Sequence, residues 1–284
     1  MKLRIFWSVF FSLLVFLFLS FRLSGTVSFG GDFARDMYDL LTIAQGKFML
    51  IGPKLSFGGI YTGPYYYYLL LPAYILSGLS INAVVFWNAA LFGIGAGVLF
   101  LVLSSKFSIL KSLLFESYMF TLPMILVGAR NPSNAYTYTP LFVILISYIF
   151  FHKIDSILKL TLVGFAMGVM MNFHLATVVV FTPLIAYLFF QLKNKKLIFF
   201  LFLGIGIAYL PLLLFEVKHN FIMFKNTFIN KSYLAFTNNE NLPGNVAPKK
   251  DLIANILFLA PYIQEWTVLN PLLILAIIVM PNLF

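Results

Sequence analysis

Eight apolar runs divide this chain, at residues 5–23, 83–103, 109–128, 138–151, 157–173, 176–190, 197–215 and from about 268. Runs of this length and apolarity are what a helix needs to cross a bilayer, and few soluble folds tolerate so many of them. The 284 residues are 61% hydrophobic and only 10% charged, which leaves too little polar surface to cover a soluble domain of this size. The expected fold class is therefore all-α, a polytopic transmembrane helical bundle of about eight spans forming one domain over residues 1–284. No cysteine is present, so disulfides and thiolate-ligated zinc or iron–sulfur centres are excluded. The net charge of +10 has a topological cause, because short cytoplasmic loops of membrane proteins collect Lys and Arg. It gives no reason to expect nucleic acid as a partner.

Charge also orients the chain. Lys2 and Arg4 precede the first run, which lacks a small-residue cleavage site and is read as a retained helix with its N-terminus in the cytoplasm. Residues 64–79 are apolar enough to cross, yet at 1.5 Å per residue they reach only about 24 Å, and Pro72 interrupts them. If they do not cross, Lys106 and Lys111, then Lys153 and Lys159, then Lys193, Lys195 and Lys196 all fall on the inside. Residues 64–79 are therefore expected to form an interfacial or re-entrant helix within a long external segment, 24–80. The external face then receives Arg130-Asn131-Pro132-Ser133-Asn134, the His174 turn, and a second long loop from Glu216 to about Asp251. A turn-rich stretch, 238–245, lies in that loop, and 252–263 has the composition of another interfacial helix. The chain ends at Pro281-Asn282-Leu283-Phe284 without a basic anchor, the pattern of a C-terminally truncated membrane domain.

Against this apolar background, Asp32, Arg35, Asp36 and Asp39 put three carboxylates and a guanidinium within eight positions. Residues 32–46 alternate at helical spacing, with Phe33, Met37, Leu40, Leu41 and Ala44 apolar, so an amphipathic helix lying on the membrane is expected, ended by Gly46 and Gly52-Pro53. Asp32 stands where a carboxylate caps free N–H groups. Capping accounts for one acid and leaves the Arg–Asp pair unexplained. An ionised carboxylate at this boundary can accept a proton from an attacking hydroxyl, and Arg clamps phosphate through paired N–H groups.

Other candidates share the external face. The Gly- and Pro-rich stretch 50–65 reads either as a turn-laden connector or as a loop closing on a ligand, with Lys54 available to a phosphate. Tyr65 to Tyr68 reads as an aromatic belt, with Tyr65 able to stack on a sugar ring. Arg130 and Asn131 stand at the outer end of a span, where Arg either snorkels or meets a phosphate. His174 reads as a packed histidine, and Glu116 as an acid inside a span. Glu216, Lys218 and His219 close another span on the outer side, as an interface anchor or as part of the site facing Asp32.

In this order the motifs resemble the GT-C class of glycosyltransferases, and within it glycosyltransferase family 39 with the protein O-mannosyltransferases and lipid A aminoarabinose transferases. Asp32-Phe33-Ala34-Arg35 and Gly63-Pro64-Tyr65-Tyr66-Tyr67 occupy the places of that family's external Asp–Arg helix and its Pro- and Tyr-rich segment. Gly164-Phe165-Ala166-Met167-Gly168 with Asn172-Phe173-His174 is similar to a turn between two of its helices, and 211–221 is similar to a Pro-x-x-x-Phe-Glu-x-basic-His stretch. The chain departs from the pattern in three places. Phe33 replaces the second acid, Thr62-Gly63 stand where a Lys is common, and Asn131 and Asn134 lie in a loop without a carboxylate.

The resemblance implies a membrane glycosyltransferase that moves a sugar, with inversion, from a polyprenyl-phosphate-linked donor to a hydroxyl of a protein, lipid or glycan on the extracytoplasmic face of the cell membrane. Asp32 would be the general base. Arg35, Asp36, Lys54, Tyr65, Arg130, Asn131, His174, Glu216, Lys218 and His219 would bind substrate. No cofactor or resident metal is expected, although some members of the class use a divalent ion. The competing expectation is a transporter or flippase of lipid-linked sugars, which would place ionisable groups and broken helices near the bilayer midplane.

Overall fold

The computed structural model describes residues 2–27, 29–55, 59–133, 135–151, 156–174, 177–192 and 194–230. Asn134, Lys153, Lys193, the 238–245 turns, the 252–263 helix, the span from 268 and the C-terminal end lie outside the described residues.

The described chain is almost entirely helical, and no named strand occurs among its residues. In order it forms α1 (Lys2–Ser20), α2 (Gly31–Ala44), α3 (Tyr65–Leu76), α4 (Ile81–Ser104) and α5 (Ile109–Thr121). Next come α6 (Pro123–Arg130), α7 (Thr139–Phe151), α8 (Ser156–Phe173), α9 (Thr177–Gln191) and α10 (Ile198–Lys218). Two of the starts are capped by serine. Ser80 accepts from the Ala83 N–H and Ser108 from the Lys111 N–H, both at 3.4 Å.

Among the described residues, four helical segments are long and apolar enough to cross a membrane: Lys2–Gly25, Ile81–Ser104, Ser156–Phe173 and Lys195–Lys218. They point to association with a membrane. The first and last expose most of their apolar side chains, Phe6, Leu13, Phe18, Phe202, Ile207 and Leu214 among them, and water would not tolerate such faces uncovered.

One expected span is interrupted. Residues 109–128 are not one helix, because Leu122 is extended (φ −64°, ψ 133°) and α6 restarts at Pro123. Proline has no N–H to continue the ladder of α5 and disfavours helical geometry at the residue before it.

Small residues set the helix pairs. α1 and α4 run antiparallel, with the Ser8 hydroxyl donating to the Gly97 carbonyl at 2.8 Å and the Ser12 hydroxyl to Gly93 at 2.6 Å. α8 and α10 run parallel and in closer contact, Gly164 and Gly168 facing residues 201–208 and Gly204 facing residues 161–165. Both pairs use a small-x-x-x-small spacing, which lets backbones approach. Gly164 to Gly168 therefore forms a packing face inside α8, and Asn172-Phe173-His174 stand where that helix ends.

These directions place the ends of the elements. Because α1 and α4 are antiparallel, the C-terminal end of α1 and the start of α4 share one end of the bundle, with α2 and α3 between them in sequence. The end of α6 joins them there, since Asn88 Nδ2 on α4 donates to the Gly128 and Ala129 carbonyls at 3.0 and 2.8 Å. The end of α8 joins through the Gly63 N–H, which donates to the Asn172 carbonyl at 3.0 Å. α10 ends beside it, where Tyr61 meets Phe215 with ring centroids 6.2 Å apart.

Candidate functional site

α2 begins at the end of the bundle where these elements meet. Its N-cap is Gly30 in extended geometry (φ −165°), not Asp32, whose carboxylate turns along the helix to Arg35. The expected Asp32 cap is thus corrected, although a carboxylate in the first turn still gains from the helix dipole. Phe33, Met37, Leu40 and Ile43 are buried, and α2 packs against α3. The positions i, i+3, i+4 and i+7 of the same helix carry Asp32, Arg35, Asp36 and Asp39, so the four charges line one flank.

Asp32, Arg35 and Asp36 form an ionic ladder along that flank. Arg35 Nη1 donates to Asp32 Oδ1 at 2.8 Å, while its Nε and Nη2 donate to Asp36 Oδ1 at 2.9 and 2.7 Å. The two ends differ in solvent access. The Asp32 side chain is 66% exposed, that of Arg35 38%, and that of Asp36 1%. Asp36 Oδ2 is buried with no hydrogen-bond partner among the described residues. Burial, the larger influence, pushes the Asp36 carboxyl up to about 6, against the opposing pull of Arg35. The Arg35 guanidinium is raised, with Asp36 and Asp32 outweighing the opposing cost of burial.

Tyrosines of α3 wall the ladder. Tyr67 donates to Asp39 Oδ2 at 2.7 Å and lies 3.5 Å from Asp36 Oδ1, and the Tyr66 hydroxyl donates to the Pro132 carbonyl. Tyr66 and Tyr67 are both fully buried, so the expected interfacial belt over 65–68 is corrected at these two positions. Their rings fill the space between helices, and each hydroxyl has an acceptor inside. Tyr68 donates to the Met49 carbonyl at 2.8 Å. Tyr67→Phe deletes the bond to Asp39 and is expected to destabilise the chain by about 1 kcal/mol, read from the melting curve in detergent.

Asp36 also dictates a pH dependence. Its folded value of about 6 lies above its ordinary 3.8, so between the two the folded chain holds a proton that the unfolded chain releases. Its contribution to stability is complete below about pH 4 and is lost as pH rises through about 6. Amide exchange of α2 and α3, corrected for the intrinsic pH effect, is expected to show weaker protection at pH 7 than at pH 4.5. Asp36→Asn should flatten that difference.

The other candidate residues divide. Lys54 is exposed in a hairpin-like loop, bridged to Tyr61 and closed by the Thr62 N–H donating to the Pro53 carbonyl at 3.0 Å. A Cβ at Gly63 would lie 1.9 Å from Asn172 Oδ1, so only glycine lets this loop seat on the end of α8. Tyr65 packs edge-on against Phe165 with centroids 6.0 Å apart. Arg130 Nη2 donates to the Phe21 carbonyl at 2.9 Å and to Thr26 Oγ1 at 2.7 Å, which ties α6 to the segment leading into α2. Asn131 Oδ1 is buried without a partner among the described residues. His174 faces Tyr136 edge-on at 5.8 Å.

Glu216 accepts the Met223 and Phe224 N–H groups, both at 2.9 Å, and so folds the chain back at the end of α10. Each of its oxygens accepts one bond in that turn. His219 stacks on Phe215 with centroids 4.0 Å apart, and Lys218 and His219 are exposed. Glu116 is fully buried in α5, with neither oxygen hydrogen-bonded among the described residues. No group of three or more His, Asp or Glu side chains among the described residues is placed to hold a metal ion.

Asp39, Tyr66 and Tyr67 belong to the site by geometry and were not among its expected ligands. The i, i+3, i+4, i+7 stripe from Asp32 to Asp39 is legible in the sequence and would have included Asp39. Nothing local marks which two of four consecutive tyrosines turn inward. The chain matches no protein-family model, and neither a curated protein nor a solved structure is significantly similar to it.

Proposed function

We propose that this chain is a multi-pass membrane glycosyltransferase of the GT-C type, transferring a sugar from a polyprenyl-phosphate donor to a hydroxyl acceptor with inversion. The observation that carries the reading is the exposed Asp32 carboxylate, held at the end of the bundle by a guanidinium that a buried acid grips from behind. In this reading the shorter helices α5–α6, α7 and α9 also cross, giving about eight spans. The N-terminus is cytoplasmic, and the ladder sits on the extracytoplasmic face of the cell membrane.

Asp32 uses Oδ1 to meet Arg35, and its side chain stays 66% exposed to solvent. There it takes the proton as the acceptor oxygen attacks the anomeric carbon, and the bond from that carbon to the phosphate oxygen breaks with its electron pair going to the phosphate. A phosphate leaves without protonation, so one principal carboxylate suffices. Arg35 serves chiefly to align Asp32, because three of its N–H groups are already committed to acids. Three carboxylates against one guanidinium also repel an anion. The phosphate is therefore assigned to Lys54, Lys218 and His219, with Arg130, Asn131, His174 and Tyr65 shaping the remainder.

The test is transfer from a panel of polyprenyl-phosphate hexoses and pentoses in membranes carrying the full chain or Asp32→Asn. Loss of transfer at equal expression supports the enzyme. Translocation of the labelled lipid-linked sugar without transfer supports the second reading, a lipid-linked sugar transporter, which the unpartnered Glu116 inside α5 favours.

A further inference from the structure

We infer that Asp36 is the positioning residue of this site: it acts through Arg35 to hold Asp32 in its working orientation and does not meet substrate itself. The inference rests on the reading of Asp32 as the base. Its physical content is a difference in freedom between three side chains on one helix flank. Asp32 and Arg35 stand in or near water, where a single ion pair is worth little and long side chains sample many rotamers. Asp36 is 1% exposed, and Tyr67 lies within 3.5 Å of the same oxygen that Arg35 grips. Two N–H groups of Arg35, Nε at 2.9 Å and Nη2 at 2.7 Å, meet that one buried oxygen, which fixes the plane of the guanidinium. The remaining arm, Nη1, then points to Asp32 Oδ1 at 2.8 Å. Order passes outward from the buried acid to the guanidinium and on to the exposed acid.

The second oxygen of Asp36 strengthens the assignment. Oδ2 is buried and has no partner among the described residues, an arrangement that costs stability and that an apolar side chain would avoid. A residue kept only for packing gains nothing from a carboxylate here. One that must grip a guanidinium does.

Asp36→Asn keeps the shape and removes the charge, and relief of the burial cost favours its folding. Two measurements on the full chain in nanodiscs separate positioning from structure. The first is the rate at which phenylglyoxal modifies Arg35, read by mass spectrometry of the 31–44 segment, which needs no substrate. The expected result is a rise of at least threefold in Asp36→Asn with the melting temperature unchanged or higher. The second is transfer from the same polyprenyl-phosphate sugar panel. Turnover should fall about tenfold or more while KM for the donor stays within about threefold, and the loss should vanish when Asp36→Asn is placed on Arg35→Ala. Unchanged Arg35 reactivity overturns the inference, and so does an equal loss in the Arg35→Ala background. If Asp32→Asn retains full transfer, the general-base reading fails, and the phenylglyoxal rate still decides whether Asp36 holds Arg35.

Discussion

Gly204→Leu is expected to prevent the chain from reaching its folded form in the membrane. A Cβ built at Gly204 lies 2.1 Å from the Thr161 carbonyl oxygen and 2.6 Å from the Phe165 nitrogen. Both are backbone atoms of α8, so no rotamer change relieves the overlap. The partner position gives the same answer, since a Cβ at Gly164 lies 2.0 Å from the Leu201 carbonyl. Leucine at either place drives apart two helices that hold the His174 end of α8 and the Lys218 end of α10 in register. Overpacking a close interface costs about 1–3 kcal/mol where side chains can yield, and a backbone collision exceeds that range. The check is the monodisperse fraction in size-exclusion chromatography and the melting temperature. Gly206→Leu is the control, because a Cβ there meets nothing within 4 Å. A Gly204→Leu protein that melts like the control would show that α8 and α10 do not pack as described.

If the proposed reading holds, Asp32→Asn reduces transfer from a polyprenyl-phosphate sugar by about 100- to 10,000-fold, the range that a positioned base contributes. The side chain is two-thirds exposed and joined to Arg35 by an ion pair at a surface, so its removal costs stability under about 1 kcal/mol. Large loss of turnover with little loss of stability is the mark of a residue that touches the reacting atoms. Asn still offers Arg35 an oxygen, which keeps the ladder in place while abolishing the base. A variant that transfers within twofold of wild type would remove Asp32 from the chemistry. A variant that melts more than a few degrees lower would move Asp32 into the structural part of the ladder.

Much of this architecture is written locally. Apolar runs declare the long helices α1, α4, α8 and α10, because a segment with no polar face has no other stable state in lipid. The Phe33, Met37, Leu40 spacing declares α2, and the cluster of charge beside it declares the helix's polar flank. Even the split between α5 and α6 is local, since Pro123 forces it. What the sequence by itself determined is thus the identity of the helices and the sign and position of the charges.

Tertiary structure decided the rest. Four acidic and basic residues on one flank look equivalent in the sequence, and only the approach of α3 buries Asp36 while leaving Asp32 in solvent. Four consecutive tyrosines likewise look like one belt until packing turns Tyr66 and Tyr67 inward. Glu216 reads as an interface anchor or a ligand, and only the folding back of the chain brings the Met223 and Phe224 N–H groups to its two oxygens. The physical reason is common to all three. Whether a polar group is a ligand, a positioning residue or a strut depends on its solvent access and on which partners reach it, and both are properties of contacts between segments distant in the chain.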